Sequence, residues 1–178
     1  EASILGVING RIPPVVSIRG VEWFETIDTN QQNSLDIDVV MSADRSSGYT
    51  WTLEYGLGND PRRWETISSG EGSQAFEGNL ATLDLTTIPK VSIAEPEYSE
   101  TIVERLDRVY QPAVTLRLKV LDNDGVMGEM RKTFFVYPDE DTKEGFPIRL
   151  SGSAEASSIM IDMDGDQVFE IIAADASG

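Results

Sequence analysis

The run Asp162-Met163-Asp164-Gly165-Asp166-Gln167-Val168-Phe169-Glu170 carries the sharpest pattern of ligand-type side chains in the chain. Carboxylates fall at positions 1, 3, 5 and 9 of a loop, and the carbonyl of Val168 stands at position 7. Hard divalent cations take oxygen ligands, and Ca²⁺ takes roughly six to eight of them in flexible geometry. Alternate residues of a tight loop turn inward, and Gly165 permits the bend. Without a cation the carboxylates repel, by about 1–4 kcal/mol for a pair ~4 Å apart, depending on screening. The loop therefore reads as a Ca²⁺ site with Asp162, Asp164, Asp166, Val168 and Glu170 as ligands. An acidic, solvated turn is the plainer alternative. Apolar, strand-like segments flank it, Ser158–Ile161 and Ile171–Ala174. A cation here pins a hairpin rather than breaking a bond.

Other chemistry is narrowed by two absences. Neither histidine nor cysteine occurs among the 178 residues. That removes from this chain the Ser-His-Asp and Cys-His arrangements, His-based zinc sites, thiolate ligands and disulfides. Carboxylate pairs remain as general acids and bases. Asp36 and Asp38, however, lie on one side of a period-two run and read as its wet face. The expectation is a chain with no catalytic residues of its own. Trp51, Tyr55 and Trp64 suggest a different kind of site, because sugars stack on flat exposed rings; inward-facing core aromatics are the commoner case. A carbohydrate- or cell-surface-protein-binding module is thus the alternative function. The formal net charge of −17 disfavours nucleic acid and anionic membranes as partners and favours divalent cations. No apolar run approaches the length that crosses a bilayer.

The elements that position these residues read as short strands separated by turn clusters. Val15–Ile18 follows Pro13-Pro14, Leu35–Met41 alternates apolar and acidic residues, and Tyr49–Tyr55 puts Tyr49, Trp51, Leu53 and Tyr55 on one face. Trp64–Ile67 and Leu80–Leu85 are further strand candidates. Val114–Leu121 and Glu129–Tyr137 flank Asp122-Asn123-Asp124-Gly125, a strong hairpin turn signal. Seven strands at this spacing predict an all-β fold, an immunoglobulin/fibronectin-like β-sandwich over residues 12–138 with Trp51 as a central aromatic. Residues 88–112 read as an insertion. Within it Ile102, Val103, Leu106, Val109 and Tyr110 have helical spacing with Ser99 as N-cap, though three prolines allow an extended loop instead. The charged stretch 139–144 is the expected linker, with residues 145–178 beyond it. Glu1-Ala2-Ser3-Ile4-Leu5 has neither the basic start nor the apolar stretch of a signal peptide, which predicts a piece of a larger protein.

Two parts of the chain resemble known families. Gly145-Phe146-Pro147-Ile148-Arg149-Leu150, Ser158 and the D-x-D-G-D-x-x-x-E-I-I stretch resemble the opening of an FG-GAP (VCBS-type) repeat. The resemblance implies a partial blade of a calcium-binding β-propeller, with Asp162, Asp164, Asp166 and Glu170 as side-chain ligands. Gln167 stands where those repeats commonly have Gly. A lone blade leans on neighbours, so partners are expected among other domains of the parent chain or through self-association by the C-terminal strands. The pattern W-x-L-x-Y-G-x-G-x-x-P-x-x-W from Trp51 to Trp64, with Gly70, resembles Ig-like modules of large bacterial extracellular proteins. The order of Pro13-Pro14, Trp23-Phe24, this motif, a charged insertion, then G-F-P and an acidic loop is similar to the region after the catalytic domain in secreted subtilisin-like serine proteases. On that resemblance residues 1–11, with Gly6-Val7-Ile8-Asn9, are the end of a protease domain. The chain is then an extracellular spacer between that domain and a propeller.

Overall fold

A period-two run can bury one face, and the first part of the chain packs eight strands as two facing sheets. The structure, a computed structural model, describes residues 12–91, 99, 101–140, 148, 152 and 157–176. The expectations for residues 1–11, for 145–147 and for most of the 139–144 linker lie outside the described residues. The chain forms two units, Glu1–Glu140 and Asp141–Gly178.

In the first unit the strands run β1 (Val15–Arg19), β2 (Thr26–Asp28), β3 (Ser34–Ser42), β4 (Tyr49–Leu57), β5 (Glu65–Gly72), β6 (Phe76–Asp84), β7 (Ala113–Asp122) and β8 (Met127–Tyr137). They form a three-stranded sheet, β1-β3-β6, and a five-stranded sheet, β2-β8-β7-β4-β5. All pairings are antiparallel except β2 with β8, which is parallel with Thr26 opposite Phe135. This is the order A-B-E against A′-G-F-C-C′ of an immunoglobulin-like β-sandwich. Ile18, Ile37 and Val39 of one sheet and Leu53, Leu116, Leu118 and Phe134 of the other are all at most 1% exposed. Truncating such a side chain to Ala typically costs about 2–5 kcal/mol.

The first strand changes sheets, which sequence alternation does not announce. β1 pairs with β3; the chain then turns at Gly20, where a Cβ would lie 2.9 Å from the Asp36 carbonyl oxygen, and joins the other sheet as β2. Phe24 takes φ 59°, a left-handed conformation that costs a bulky residue about 1–2 kcal/mol. Its N–H donates to the Thr133 carbonyl at 2.8 Å, and the Phe135 N–H donates to Glu25 O at 2.8 Å. Lys132, on the inner side of β8 and 7% exposed, donates from Nζ to the Val21 carbonyl at 2.8 Å. A buried ammonium thus ties down the crossover.

The aromatic-glycine motif turns out to be a packing code for the β4–β5 hairpin. A Cβ on Gly56 would meet the Pro61 ring and come within 2.6 Å of Arg63 O, so glycine lets the connecting loop fold back onto β4. Gly70 lies opposite Trp51 in the ladder, and a Cβ there would sit 2.8 Å from the indole. Trp51 is therefore only half-buried, seated over an edge strand, and Leu53 rather than Trp51 occupies the core centre. The ladder also extends β5 to Gly72, past the expected end at Ile67, because β4 supplies hydrogen bonds to a Ser/Gly-rich segment of low strand propensity. β6 stops at Asp84, whose carboxylate accepts from Thr86 N at 2.9 Å and starts a 3-10 turn at Leu85–Thr87.

The Asp122–Gly125 turn forms as the sequence predicts. Asp122 Oδ1 accepts from Asp124 N at 2.9 Å and Val126 N at 2.7 Å, while Asn123 N donates to Gly48 O at 3.0 Å on the β3–β4 turn. Between β6 and β7 the helical spacing is realised as α1 (Ile102–Val109). Its N-cap is Thr101, not Ser99. Thr101-x-x-Glu104 closes a reciprocal capping box, Glu104 N to Thr101 Oγ1 at 3.3 Å and Thr101 N to Glu104 Oε2 at 2.9 Å. Ser99 has Ile102 three residues on and cannot make that pair.

In the second unit β9 (Ile159–Ile161) and β10 (Glu170–Ile172) pair antiparallel, with Glu170 opposite Ile161. No helix of the described residues is long and apolar enough to cross a membrane.

Two outcomes follow for the sandwich. Gly56→Ala is expected to destabilise it by about 1–3 kcal/mol, read from the denaturant midpoint at unchanged slope. Burial raises the phenols of Tyr49, Tyr55 and Tyr137 above their ordinary value, with Glu65 adding to the effect at Tyr55 and Asp139 and Asp28 at Tyr137. The folded state then holds these protons after the unfolded chain has released them. Their contribution is complete below the ordinary phenol value of about 10 and is lost as pH rises through the folded-state values. Denaturant midpoints should therefore fall on going from about pH 9 to about pH 11, and less steeply in Tyr55→Phe.

Candidate functional site

The β9–β10 hairpin places its connecting loop so that backbone N–H groups organise carboxylates. Asp162 Oδ1 accepts from Gly165 N at 2.6 Å and its Oδ2 from Gln167 N at 3.0 Å. Asp164 Oδ1 accepts from Asp166 N at 3.1 Å, and Asp166 Oδ1 from Val168 N at 2.7 Å. These Asx-type turns need left-handed backbone at two points. Gly165 supplies φ 81° at no steric cost, whereas Gln167 takes φ 71° where glycine would be free of strain. The expected bend thus forms in spite of the side chain at residue 167.

Three of the expected ligands converge. One carboxylate oxygen from each of Asp162, Asp164 and Asp166 lies within 4.8 Å of the others. Glu170 stands apart from that group: at the start of β10 its Oε2 accepts from Met163 N at 2.7 Å, closing the mouth of the loop. Val168 contributes its N–H to Asp166, as given above. An all-oxygen donor set of three carboxylates fits a hard cation such as Ca²⁺, not a thiophilic or imidazole-seeking metal.

The aromatic residues do not share a surface. Trp51 lies on the inner side of β4 and lines an open groove of about 420 Å³ with Tyr49, Phe76 and Leu80. Tyr55, 9% exposed, donates its hydroxyl to Glu65 Oε2 at 2.7 Å. Trp64 lies with the charged outer face of the five-stranded sheet, the Arg117 guanidinium 3.8 Å from its ring centroid and that of Arg131 5.3 Å away. No single flat platform joins the three.

That outer face carries a cluster the sequence reading did not single out. Glu54, Arg117 and Arg131 are in register across β4, β7 and β8. Glu54 Oε2 accepts from Arg117 Nε at 2.8 Å and lies 3.0 Å from Lys119 Nζ. Two arginines facing each other across strands would repel; the Trp64 ring beside both, with Glu54 and Glu129, offsets this. The signal was present in the outward positions 54, 117, 119, 129 and 131 of alternating strands, but only cross-strand register brings them together. Beside it, Thr115 Oγ1 donates to Gly58 O at 2.7 Å, so Thr133 donates to Thr115 across their 2.8 Å contact.

The other carboxylates buried in the sandwich are also structural. Asp28 Oδ1 accepts from Asn30 N at 2.8 Å and Asp139 N at 3.1 Å, fastening the ends of β2 and β8. Asp36 is exposed and accepts from Thr82 Oγ1 at 2.6 Å on the outer side of the three-stranded sheet. A cavity of about 110 Å³ among Thr29, Leu85, Ile88 and Tyr137 is well below the ~300 Å³ of a small-molecule pocket.

No protein-family model matches the chain, and no curated protein does. Among solved structures, murine CRIg is similar over 71% of this chain and 98% of that chain, at 10% identity and a TM-score of 0.28. The immunoglobulin-like fold rests on the strand order, not on that overlay.

Glu54→Ala leaves Arg117 and Lys119 facing a void on a side chain only 11% exposed. It is expected to destabilise the sandwich by about 3 kcal/mol, measured by denaturant unfolding, with Glu129→Ala at the rim changing it by less than about 1 kcal/mol.

Proposed function

We propose that the chain is a non-catalytic accessory module: an immunoglobulin-like spacer followed by a hairpin unit ordered by calcium. The observation carrying this is the convergence of Asp162, Asp164 and Asp166 within 4.8 Å in a loop whose N–H groups already orient them. A divalent cation replaces mutual repulsion with shared coordination, and this reading assigns the Val168 carbonyl, Glu170 and solvent to complete the oxygen shell. In this reading the hairpin opens an FG-GAP (VCBS-type) propeller. Supporting it, Ile159, Met160 and Ile161 are 59%, 65% and 45% exposed and Ile171 and Ile172 are 52% and 42% exposed, so both faces await neighbours. A two-stranded hairpin is at best marginally stable alone. The partners are then other domains of the parent chain or the strands of a second copy. The parent is a secreted subtilisin-like protease, with its catalytic domain ahead of the sandwich.

Calcium titrated to ~100 times its dissociation constant should stabilise the C-terminal unit by about 2.7 kcal/mol. Slower hydrogen exchange at Met160 and Ile171 reports it. Asp164→Ala should abolish the slowing and Asp36→Ala should leave it intact. Exchange that is indifferent to calcium in the unaltered chain overturns the proposal.

A further inference from the structure

The amphipathic helix α1 is the least explained element of the sandwich unit. It is eight residues long, well below the ~12–15 at which an isolated helix becomes even marginal in water. Yet it buries none of its residues: Ile102, Val103, Leu106 and Val109 are 78%, 66%, 49% and 42% exposed. Spaced i, i+1, i+4 and i+7, they make one apolar stripe.

The stripe does not end with the helix. Tyr110, the C-cap, stacks on Phe135 with ring centroids 6.1 Å apart; Phe135 meets Phe24 at 6.1 Å, and Phe24 meets Trp23 at 6.0 Å. Trp23 and Phe24 are 50% and 51% exposed. Phe24 holds this outward position with a left-handed backbone, a cost that core packing does not repay. A helix stripe alone falls short of the ~800 Å² per partner of a stable interface. The aromatic row extends it.

The charges beside the stripe indicate what covers it. At 100° per residue, Arg105 falls on one flank of the stripe and Asp107 on the other, with Glu104 and Arg108 on the back, and the helix segment is neutral within a chain of net charge −17. When two parallel helices pack about a two-fold axis, each flank faces the opposite flank of its partner. Arg105 then faces Asp107 of the second copy, and Asp107 faces its Arg105. The surface is complementary to itself in charge as well as in hydrophobicity, which an isologous interface requires. We propose that two copies of this chain associate through α1, parallel across a two-fold axis, with Leu106 at the centre and the Tyr110–Phe135–Phe24–Trp23 row at the periphery.

Sedimentation of the full chain over a concentration series tests this. The unaltered chain should show a reversible monomer–dimer equilibrium. Leu106→Asp should remove the dimer, and at concentrations where the unaltered chain is monomeric its circular dichroism and thermal unfolding should match those of the unaltered chain, since Leu106 is half-exposed. Arg105→Asp sets acid against acid and Asp107→Arg sets base against base, so each alone should dimerise at least about tenfold more weakly. An equimolar mixture of those two variants should form a heterodimer at close to unaltered affinity. A chain that stays monomeric throughout, a dimer indifferent to Leu106→Asp, or variants that fail to pair on mixing would each overturn the proposal.

Discussion

With no cysteine in the chain, no disulfide joins the two sheets, and the sandwich holds only as far as facing side chains fill the space between them. The full burial of Leu53, Leu116, Leu118 and Phe134 against Ile18, Ile37 and Val39 is therefore the condition for everything else. It fixes register, because a slip by one residue would turn each strand's apolar set to water. Fixed register in turn stacks Glu54, Arg117 and Arg131 in one row on the outer face, where a salt bridge and an indole make the row tolerable.

The edges are held differently, by polar groups that satisfy backbone the sheets leave open. Asp122 closes the β7–β8 turn, Asn123 joins it to the β3–β4 turn, and Asp28 binds N–H groups from both its own turn and Asp139. Asp28 and Asp122 are buried acids whose desolvation is offset by directed hydrogen bonds. Lys132 follows the same rule with a carbonyl in place of a carboxylate partner. Apart from Glu54, buried and ion-paired within β4, the acids of the sandwich described above are fasteners at sheet ends or solvated side chains on outer faces. Abundance alone says little about reactivity.

A part of each of the seven longer strands was legible, best where alternation and turn chemistry agree, as from Leu35 to Met41 and across Asp122–Gly125; β5 beyond Ile67 and β6 before Leu80 show no such alternation and were not. β2 was not, for a physical reason: three residues are too few to show a period, and its pairing is with β8, more than a hundred residues away. The crossover that produces it depends on Gly20 and on Phe24 in a conformation that residue type does not suggest. Trp51 illustrates a different limit. Its inward side was readable, but its depth was set by Gly70 on a neighbouring strand. In the acidic loop, spacing was enough to bring together Asp162, Asp164 and Asp166; the turn of Glu170 toward Met163 N depends on hairpin register, which spacing does not carry.

Net charge links the two surfaces that the chain leaves apolar and uncovered. A molecule carrying −17 repels its own copies at long range, an effect screened beyond roughly 8 Å at physiological ionic strength. Close approach is favourable only where local charge is cancelled. Along α1 the cancellation is built into the sequence, two bases against two acids over Glu104–Arg108. In the β9–β10 hairpin it is not: apolar strands flank three converging aspartates, and only a bound cation reduces the field there. The same apolar exposure therefore has two different controls. On the two proposals made above, one surface is ready as it stands and the other is conditional on a divalent ion, so contacts through the hairpin would depend on calcium and those through the helix would not.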